Sequence, residues 1–176
     1  MTPELAHTIW AAGALTWCAL RLPFERRAAA QPIALSRRSV RDGVGLAAAM
    51  IGLGVMPACH LAFGFAAWAD TAFHPALPWI GCCLFAASLA LFAATHRALG
   101  TNWSISLDLR ERHELVTTGI YAHIRHPMYT AFWLWAAAQA CLIPNAVAGP
   151  AGLAGFGLLY ALRIRREERM MLEPFG

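Results

Sequence analysis

The sequence predicts an all-α, polytopic membrane protein with five transmembrane helices. Of its 176 residues, 59% are hydrophobic and 14% are charged, and the mean hydropathy is +0.49. Soluble domains carry about a quarter charged residues, so this composition is typical of a chain that lies largely in lipid. The apolar residues also fall in long runs separated by short polar connectors. We therefore expect residues 1–176 to form a single integral-membrane domain.

Each predicted span is an apolar run long enough to cross the hydrocarbon core, which takes about 20 residues. The fourth apolar run is too long for one crossing, and Pro144-Asn145 at its centre is typical of a turn, so it predicts a tight helical hairpin. Pro57 predicts a kink in the second span. The predicted spans are 5–22, 43–69, 78–99, 128–143 and 146–162.

The arginines predict the orientation of these spans. All fourteen basic residues are arginine, and they lie after the first, third and fifth spans, while connectors 70–77 and 144–145 carry none. Five spans therefore place every arginine on one side, which the positive-inside rule makes cytoplasmic. The N-terminus is then outside and the C-terminus cytoplasmic. The Ala- and Arg-rich composition favours a bacterial inner membrane.

The connector HELVTTGIYAHIRHPMY, residues 113–129, concentrates histidine, tyrosine and charged side chains in one short polar stretch. His123 and His126 have the spacing of metal ligands on a helix, with His113 as a third imidazole. Pro127 disfavours helix at His126, and no cysteine or aspartate completes the set, so we expect no metal. A lipid-interface anchor is a second interpretation, although an anchor needs neither Gly119 nor Pro127.

A pocket for a charged, aromatic small molecule is the third interpretation of this connector. Tyr121 and Tyr129 offer flat faces to an aromatic base or a cation. Arg125 can bind a carboxylate, and Glu167 and Glu168 after the fifth span can bind an ammonium group. S-adenosylmethionine carries an adenine, a sulfonium, an ammonium and a carboxylate, which match these groups.

Four motifs together resemble the isoprenylcysteine carboxyl methyltransferase family, which belongs with the integral-membrane phospholipid methyltransferases. They are GTNWS (100–104), HELVTTGIY (113–121), RHPMY (125–129) and R-x-x-x-EE with the final FG (163–176). The resemblance covers about residues 95–176. It implies a methyltransferase-like half at 95–176, joined to a membrane scaffold of three spans at 1–94.

The resemblance implies that S-adenosylmethionine is the cofactor and that its site faces the cytoplasm. Arg163 is expected to face the methyl acceptor as the catalytic residue. Together with the pocket chemistry above, the expected cofactor-binding residues are His113, Glu114, Leu115, Val116, Gly119, Tyr121, Arg125, His126, Pro127, Met128, Tyr129, Glu167 and Glu168.

Several alternatives stay open at this stage. The acceptor is an isoprenylcysteine-like carboxylate, a lipid, or a small thiol or phenol, and the oligomeric state is unspecified. A thiol, phenol or amine would need a general base, for which the candidates are His96, His113, His123 and His126. The rival functions are an NADPH-dependent membrane reductase of the sterol-reductase type and a non-catalytic membrane scaffold. Membrane lipids are expected partners; nucleic acid is not, because topology accounts for the charge.

Polar and small residues inside the spans predict contacts between helices. Gln139 is expected either to hydrogen-bond between helices or to line the path of the acceptor. Ala148 and Gly152, and Ala151 and Gly155, have the spacing that allows close helix approach.

Overall fold

A computed structural model of the chain describes residues 1–29, 35–36, 40–100, 108–109 and 116–175. These residues form an all-α bundle, as predicted, apart from a two-residue antiparallel pairing of β1 (Leu35–Ser36) with β2 (Asp108–Leu109). A π-helical turn, Ile51–Val55, joins α2 to α3, and 3-10 turns occur at Ala67–Ala69 and Gly119–Ala122. The helices are α1 (Pro3–Ala29), α2 (Val40–Met50), α3 (Met56–Phe63), α4 (Leu77–Leu99), α5 (Pro127–Leu142) and α6 (Ala151–Phe175).

Two helical stretches of the described chain are long and apolar enough to cross a membrane. They are Val40–Phe63, which contains α2, the π-helical turn and α3, and Leu77–Leu99, which is α4. They correspond to the predicted second and third spans. Helices α1, α5 and α6 occupy the positions of the other three, whose crossing of the membrane stays a prediction.

Two predicted boundaries are wrong. The second span was expected to run to residue 69, but α3 ends at Phe63 because Gly64 adopts a left-handed conformation, with φ of 68°. The fifth span was expected to begin at residue 146, but α6 begins at Ala151. Asn145 explains the second difference, since its Oδ1 accepts hydrogen bonds from the two backbone N–H groups at positions 147 and 148 and holds this segment in a turn.

Pro57 produces a π-helical turn in the second span. The Met56 N–H donates to the Ile51 carbonyl, five residues earlier, which is the π-helical pattern. The next carbonyl in this register, that of Gly52, would need an N–H at position 57, which proline lacks. Gln139 of α5 replaces that donor, because its Nε2 lies 3.0 Å from the Gly52 oxygen. A backbone group freed by proline inside the bundle is thus bonded by a neighbouring helix.

Gln139 also joins α5 to the turn before α6. Its Nε2 donates to the carbonyl oxygens of Ala148 at 2.8 Å and Gly149 at 3.2 Å, and the side chain is fully buried. Of the two roles expected for Gln139, the structure therefore shows the interhelical hydrogen bond.

Helices α2 and α6 pack with their backbones in direct contact. A Cβ atom at Gly52 would lie 2.2 Å from the Ala151 oxygen, and one at Gly155 would lie 2.2 Å from the Ala48 oxygen. A Cβ at Gly152 would come within 2.8 Å of Leu53 Cδ2. Ala151, Gly152 and Gly155, which the sequence assigned to helix packing, therefore have that role.

We expect Gly52→Ala to lower the free energy of unfolding by about 1–3 kcal/mol, because the new methyl group would overlap a backbone carbonyl. Gly43→Ala, in the same helical stretch, is the matched control, since a Cβ there meets no described atom within 4 Å. It should stabilise the chain by up to about 1 kcal/mol. Thermal unfolding in detergent measures both, and equal melting temperatures for the two variants would contradict this packing.

Candidate functional site

The connector leading to α5 turns back on itself before the helix begins. Gly119 has a φ of 63°, the left-handed region in which glycine is favoured, and it starts the 3-10 turn Gly119–Ala122. Pro127 occupies the first position of α5, where its missing N–H has no cost, and His126 precedes it as the N-cap residue. The turn at Gly119 places Tyr121 and His126 next to the start of α5.

The charged end of α6 lies against this start of α5. Glu168 Oε1 is 3.4 Å from His126 Nε2 and 3.9 Å from Arg125 Nε. One turn earlier on α6, Arg163 Nε lies 2.9 Å from Glu167 Oε1. The Arg163 side chain is 9% exposed and that of Glu167 is 24% exposed, so this ion pair is largely shielded from water. The structure thus joins the two segments that the sequence predicted to form one site.

Two tyrosines lie near the Glu167 carboxylate. Tyr129 is buried at the start of α5, with its hydroxyl close to Glu167 and its ring 5.8 Å from that of His126. Tyr121 lies in the 3-10 turn, where burial and then the Glu167 charge raise the pKa of its phenol to about 12. The described site therefore contains a carboxylate, a guanidinium and two neutral phenols, which suits a ligand with both cationic and aromatic parts.

Tyr160 is a site neighbour that the sequence predicts only as a lipid-interface anchor. Its ring lies edge-on to Tyr129, with centroids 5.4 Å apart, and it also contacts Trp133 at 5.9 Å. Tyr160 precedes Arg163 by three residues, so both lie on the same side of α6. That helical spacing was the available signal, but tyrosine near a predicted membrane boundary had the simpler interpretation of an anchor.

The remaining predicted site residues differ in whether the structure describes them and in how exposed they are. His113, Glu114 and Leu115 lie outside the described residues, so their role stays a prediction. Val116 and Met128 are half-buried and Pro127 is buried. The Arg125 side chain is 73% exposed, and 3.9 Å from Glu168 is a loose contact.

The candidate general bases also differ in position. His96 is buried on α4, where its Nδ1 donates to the Phe92 carbonyl at 2.9 Å and its ring packs against Phe24. His123 is exposed, and His126 contacts Glu168. Within the described part of the chain, no three His, Cys, Asp or Glu side chains are placed to hold a metal ion.

The position of Tyr121 predicts a pH dependence. An unfolded tyrosine has a pKa of about 10, so between pH 10 and 12 the unfolded chain releases this proton before the folded chain does. Stability is therefore lost as the pH rises through that window. We expect the melting temperature of the wild type to fall more steeply there than that of Tyr121→Phe. Between pH 7 and 9 the difference between the two should be constant; parallel curves up to pH 12 would contradict a raised pKa for this half-buried phenol.

The fold and these side chains define a helical protein of membrane character with a polar site where two apolar helices end. The model of the isoprenylcysteine carboxyl methyltransferase (ICMT) family matches residues 79–173. The match covers more than half of the chain and includes α5 and most of α4 and α6, and the chain belongs to this family.

Two relatives named as protein-S-isoprenylcysteine O-methyltransferases agree with this assignment. The chain is similar to the protein-S-isoprenylcysteine O-methyltransferase of Dictyostelium discoideum, with 29% identity over 62% of this chain and 49% of the relative. It is 30% identical to the enzyme of that name from Tribolium castaneum, over 61% of this chain and 41% of the relative. It is 24% identical to the nickel-cobalt-cadmium resistance protein NccN of Alcaligenes xylosoxydans xylosoxydans, over 85% of this chain and 65% of the relative. The chain thus matches half or less of the length of the first two relatives.

Proposed function

We propose that the protein is an S-adenosylmethionine-dependent methyltransferase that acts on a lipophilic acceptor at the cytoplasmic boundary of a membrane. The observation that carries the proposal is the position of Glu167, which contacts Arg163 and lies near enough to two tyrosines to raise the pKa of their phenols, where α6 meets the start of α5. Membership of the methyltransferase family and the names of its relatives support the same conclusion.

The described side chains fit the polar groups of this cofactor. Glu167 is the carboxylate for its ammonium group, since only one oxygen of Glu167 takes part in the 2.9 Å contact with Arg163. Tyr121 and Tyr129 present aromatic faces to the sulfonium and the adenine. His126, with Arg125 beside it, is the group for the carboxylate. We expect residues 113–116 to complete the pocket and Glu168 to orient His126.

Bound S-adenosylmethionine supplies an activated methyl group, so the protein mainly has to orient the two reactants. Orientation of this kind contributes roughly 7–11 kcal/mol to catalysis. Arg163 is the residue that directs the acceptor, because a guanidinium binds a carboxylate through two parallel hydrogen bonds. A carboxylate acceptor needs no general base. This favours an isoprenylcysteine-like carboxylate over a thiol or phenol.

A site at the membrane boundary suits two reactants of opposite polarity. Bringing an acceptor with a long apolar tail into water costs about 0.8 kcal/mol per CH₂, whereas the charged cofactor stays in the aqueous phase. In the proposed topology, five helices cross a bacterial inner membrane, with the N-terminus outside and the C-terminus cytoplasmic. The arginines flanking α5 and α6 then face the cytoplasm, with the site between them.

Ligand binding separates this function from its rivals. We expect S-adenosylhomocysteine to bind the purified full chain in detergent, as measured by isothermal titration calorimetry, and NADPH not to bind. Saturation at a hundredfold excess over Kd should also stabilise the chain by about 2.7 kcal/mol. Binding of NADPH instead would favour a reductase, and binding of neither would favour a scaffold.

A further inference from the structure

Asp42, at the start of α2, is a buried carboxylate far in sequence from the candidate site. It is 7% exposed, and Arg166 Nη1 donates to its Oδ2 at 2.8 Å. A carboxylate buried to this degree is costly without a charged or hydrogen-bonding partner. Asp42 therefore favours the position of Arg166 in which the two side chains are bonded. Arg166 precedes Glu167 by one residue, and successive residues of a helix point about 100° apart. Arg166 and Glu167 therefore face different neighbours.

The ion pair extends the tight contact between α2 and α6. A Cβ atom at Gly45 would lie 3.0 Å from Leu159 Cδ1, which shows that the two helices still pack closely at that level. Arg166 lies seven residues, or about two helical turns, beyond Leu159. On the other side of this part of α6, Glu168 contacts His126 at the start of α5. Residues 166–168 of α6 are therefore held by α2 on one side and by the start of α5 on the other.

We infer that Asp42 and Arg166 form a positioning pair that sets the rotation of α6 so that Glu167 and Arg163 face the two tyrosines of the site. The inference rests on the proposed function, in which Glu167 binds the methyl donor. Asp42 itself need not touch either reactant, because it acts through Arg166. If Asp42 is replaced by a neutral asparagine, the Arg166 guanidinium is stabilised more by water than by the buried amide of that side chain. The contact that holds α6 against α2 at this level is then lost.

The test compares S-adenosylhomocysteine affinity in full-length variants by isothermal titration calorimetry. Asp42→Asn and Arg166→Gln should each raise Kd about tenfold, since misplacing a binding group by about an ångström has effects of this order or larger. Arg165→Gln is the matched control, because Arg165 is exposed on the same helix and carries the same charge. It should bind like the wild type. Asp42→Glu, which keeps the charge, should restore affinity to within about threefold of the wild type.

Amide hydrogen exchange of residues 163–169, followed by mass spectrometry, gives a readout that needs no ligand. Exchange should be faster in Asp42→Asn than in the wild type and Arg165→Gln, and slow again in Asp42→Glu. If the wild type does not bind S-adenosylhomocysteine, the proposed function fails and exchange alone decides the positioning role. The inference would be overturned if Asp42→Asn and Arg166→Gln both bound S-adenosylhomocysteine as tightly as the wild type. If the wild type binds no ligand, wild-type exchange rates in both variants would overturn it. Should Asp42→Asn not fold, Arg166→Gln and Asp42→Glu decide it.

Discussion

Glu167→Gln is expected to weaken S-adenosylhomocysteine binding about 100-fold, or about 2.7 kcal/mol. Glutamine keeps the shape of the side chain but removes its charge. The ammonium group of the ligand then loses its anionic partner, and the buried Arg163, 2.9 Å away, loses the carboxylate that balances it. Removing one partner of a buried ion pair costs about 3–5 kcal/mol, so the effect should exceed that of any other single glutamate.

Two controls separate this role from a general effect of charge. Glu168→Gln removes a neighbouring carboxylate that is 38% exposed and contacts His126 at 3.4 Å, so its Kd should rise less than about tenfold. Glu4→Gln removes an exposed carboxylate in the first turn of α1 and should leave Kd unchanged. Wild-type affinity in a folded Glu167→Gln variant would contradict the assignment of this carboxylate to the methyl donor.

Gln139→Leu is expected to lower the free energy of unfolding by about 3 kcal/mol. Leucine has a similar size but offers no donor to the three carbonyl oxygens that Gln139 now bonds, those of Gly52, Ala148 and Gly149. Each buried acceptor left without a partner costs about 1–3 kcal/mol, and local relaxation recovers part of the sum. Thr16→Val is the control, because the Thr16 hydroxyl donates within its own helix to Ala12 and is exposed. It should shift stability by less than about 0.5 kcal/mol.

Pro57→Ala tests why Gln139 is needed. Alanine restores the backbone N–H at position 57. Because proline lacks this N–H, the Gly52 carbonyl depends on Gln139 for a hydrogen bond. In the Pro57→Ala background, Gln139→Leu should therefore cost about 1 kcal/mol less than in the wild type. Thermal unfolding of the four chains of this double-mutant cycle gives the coupling energy. Strict additivity would mean that the proline and the glutamine are independent.

The helix content and the meeting of two distant segments could be predicted because both depend on patterns of many residues. Long apolar runs predict helices, and a turn at Pro144-Asn145 makes α5 and α6 neighbours, so the connector before α5 and the charged end of α6 had to come close. Boundaries depended on single contacts that no local pattern shows. Asn145 delays α6 by bonding the backbone of its own turn, and Pro57 follows a π-helical turn that the apolar pattern did not indicate.

The candidate site was predictable where residues lie in one local motif and less so where they come from distant helices. Tyr121, Tyr129 and Glu167 belong to motifs that the family resemblance identified, and the structure brings them together. Asp42 and Arg166 are 124 residues apart, and an arginine among several at a membrane boundary has a sufficient explanation in topology alone. Their pairing required three-dimensional information.

Ultraviolet crosslinking of methyl-labelled S-adenosylmethionine to the purified chain, followed by peptide mapping, tests most directly where the methyl donor binds. We expect the label on peptides that contain Tyr121, Tyr129 or residues 163–169. Unlabelled S-adenosylhomocysteine should abolish this labelling, and Glu167→Gln should reduce it strongly. Label confined to residues 1–100, or labelling unaffected by either treatment, would contradict a donor site between the start of α5 and the end of α6.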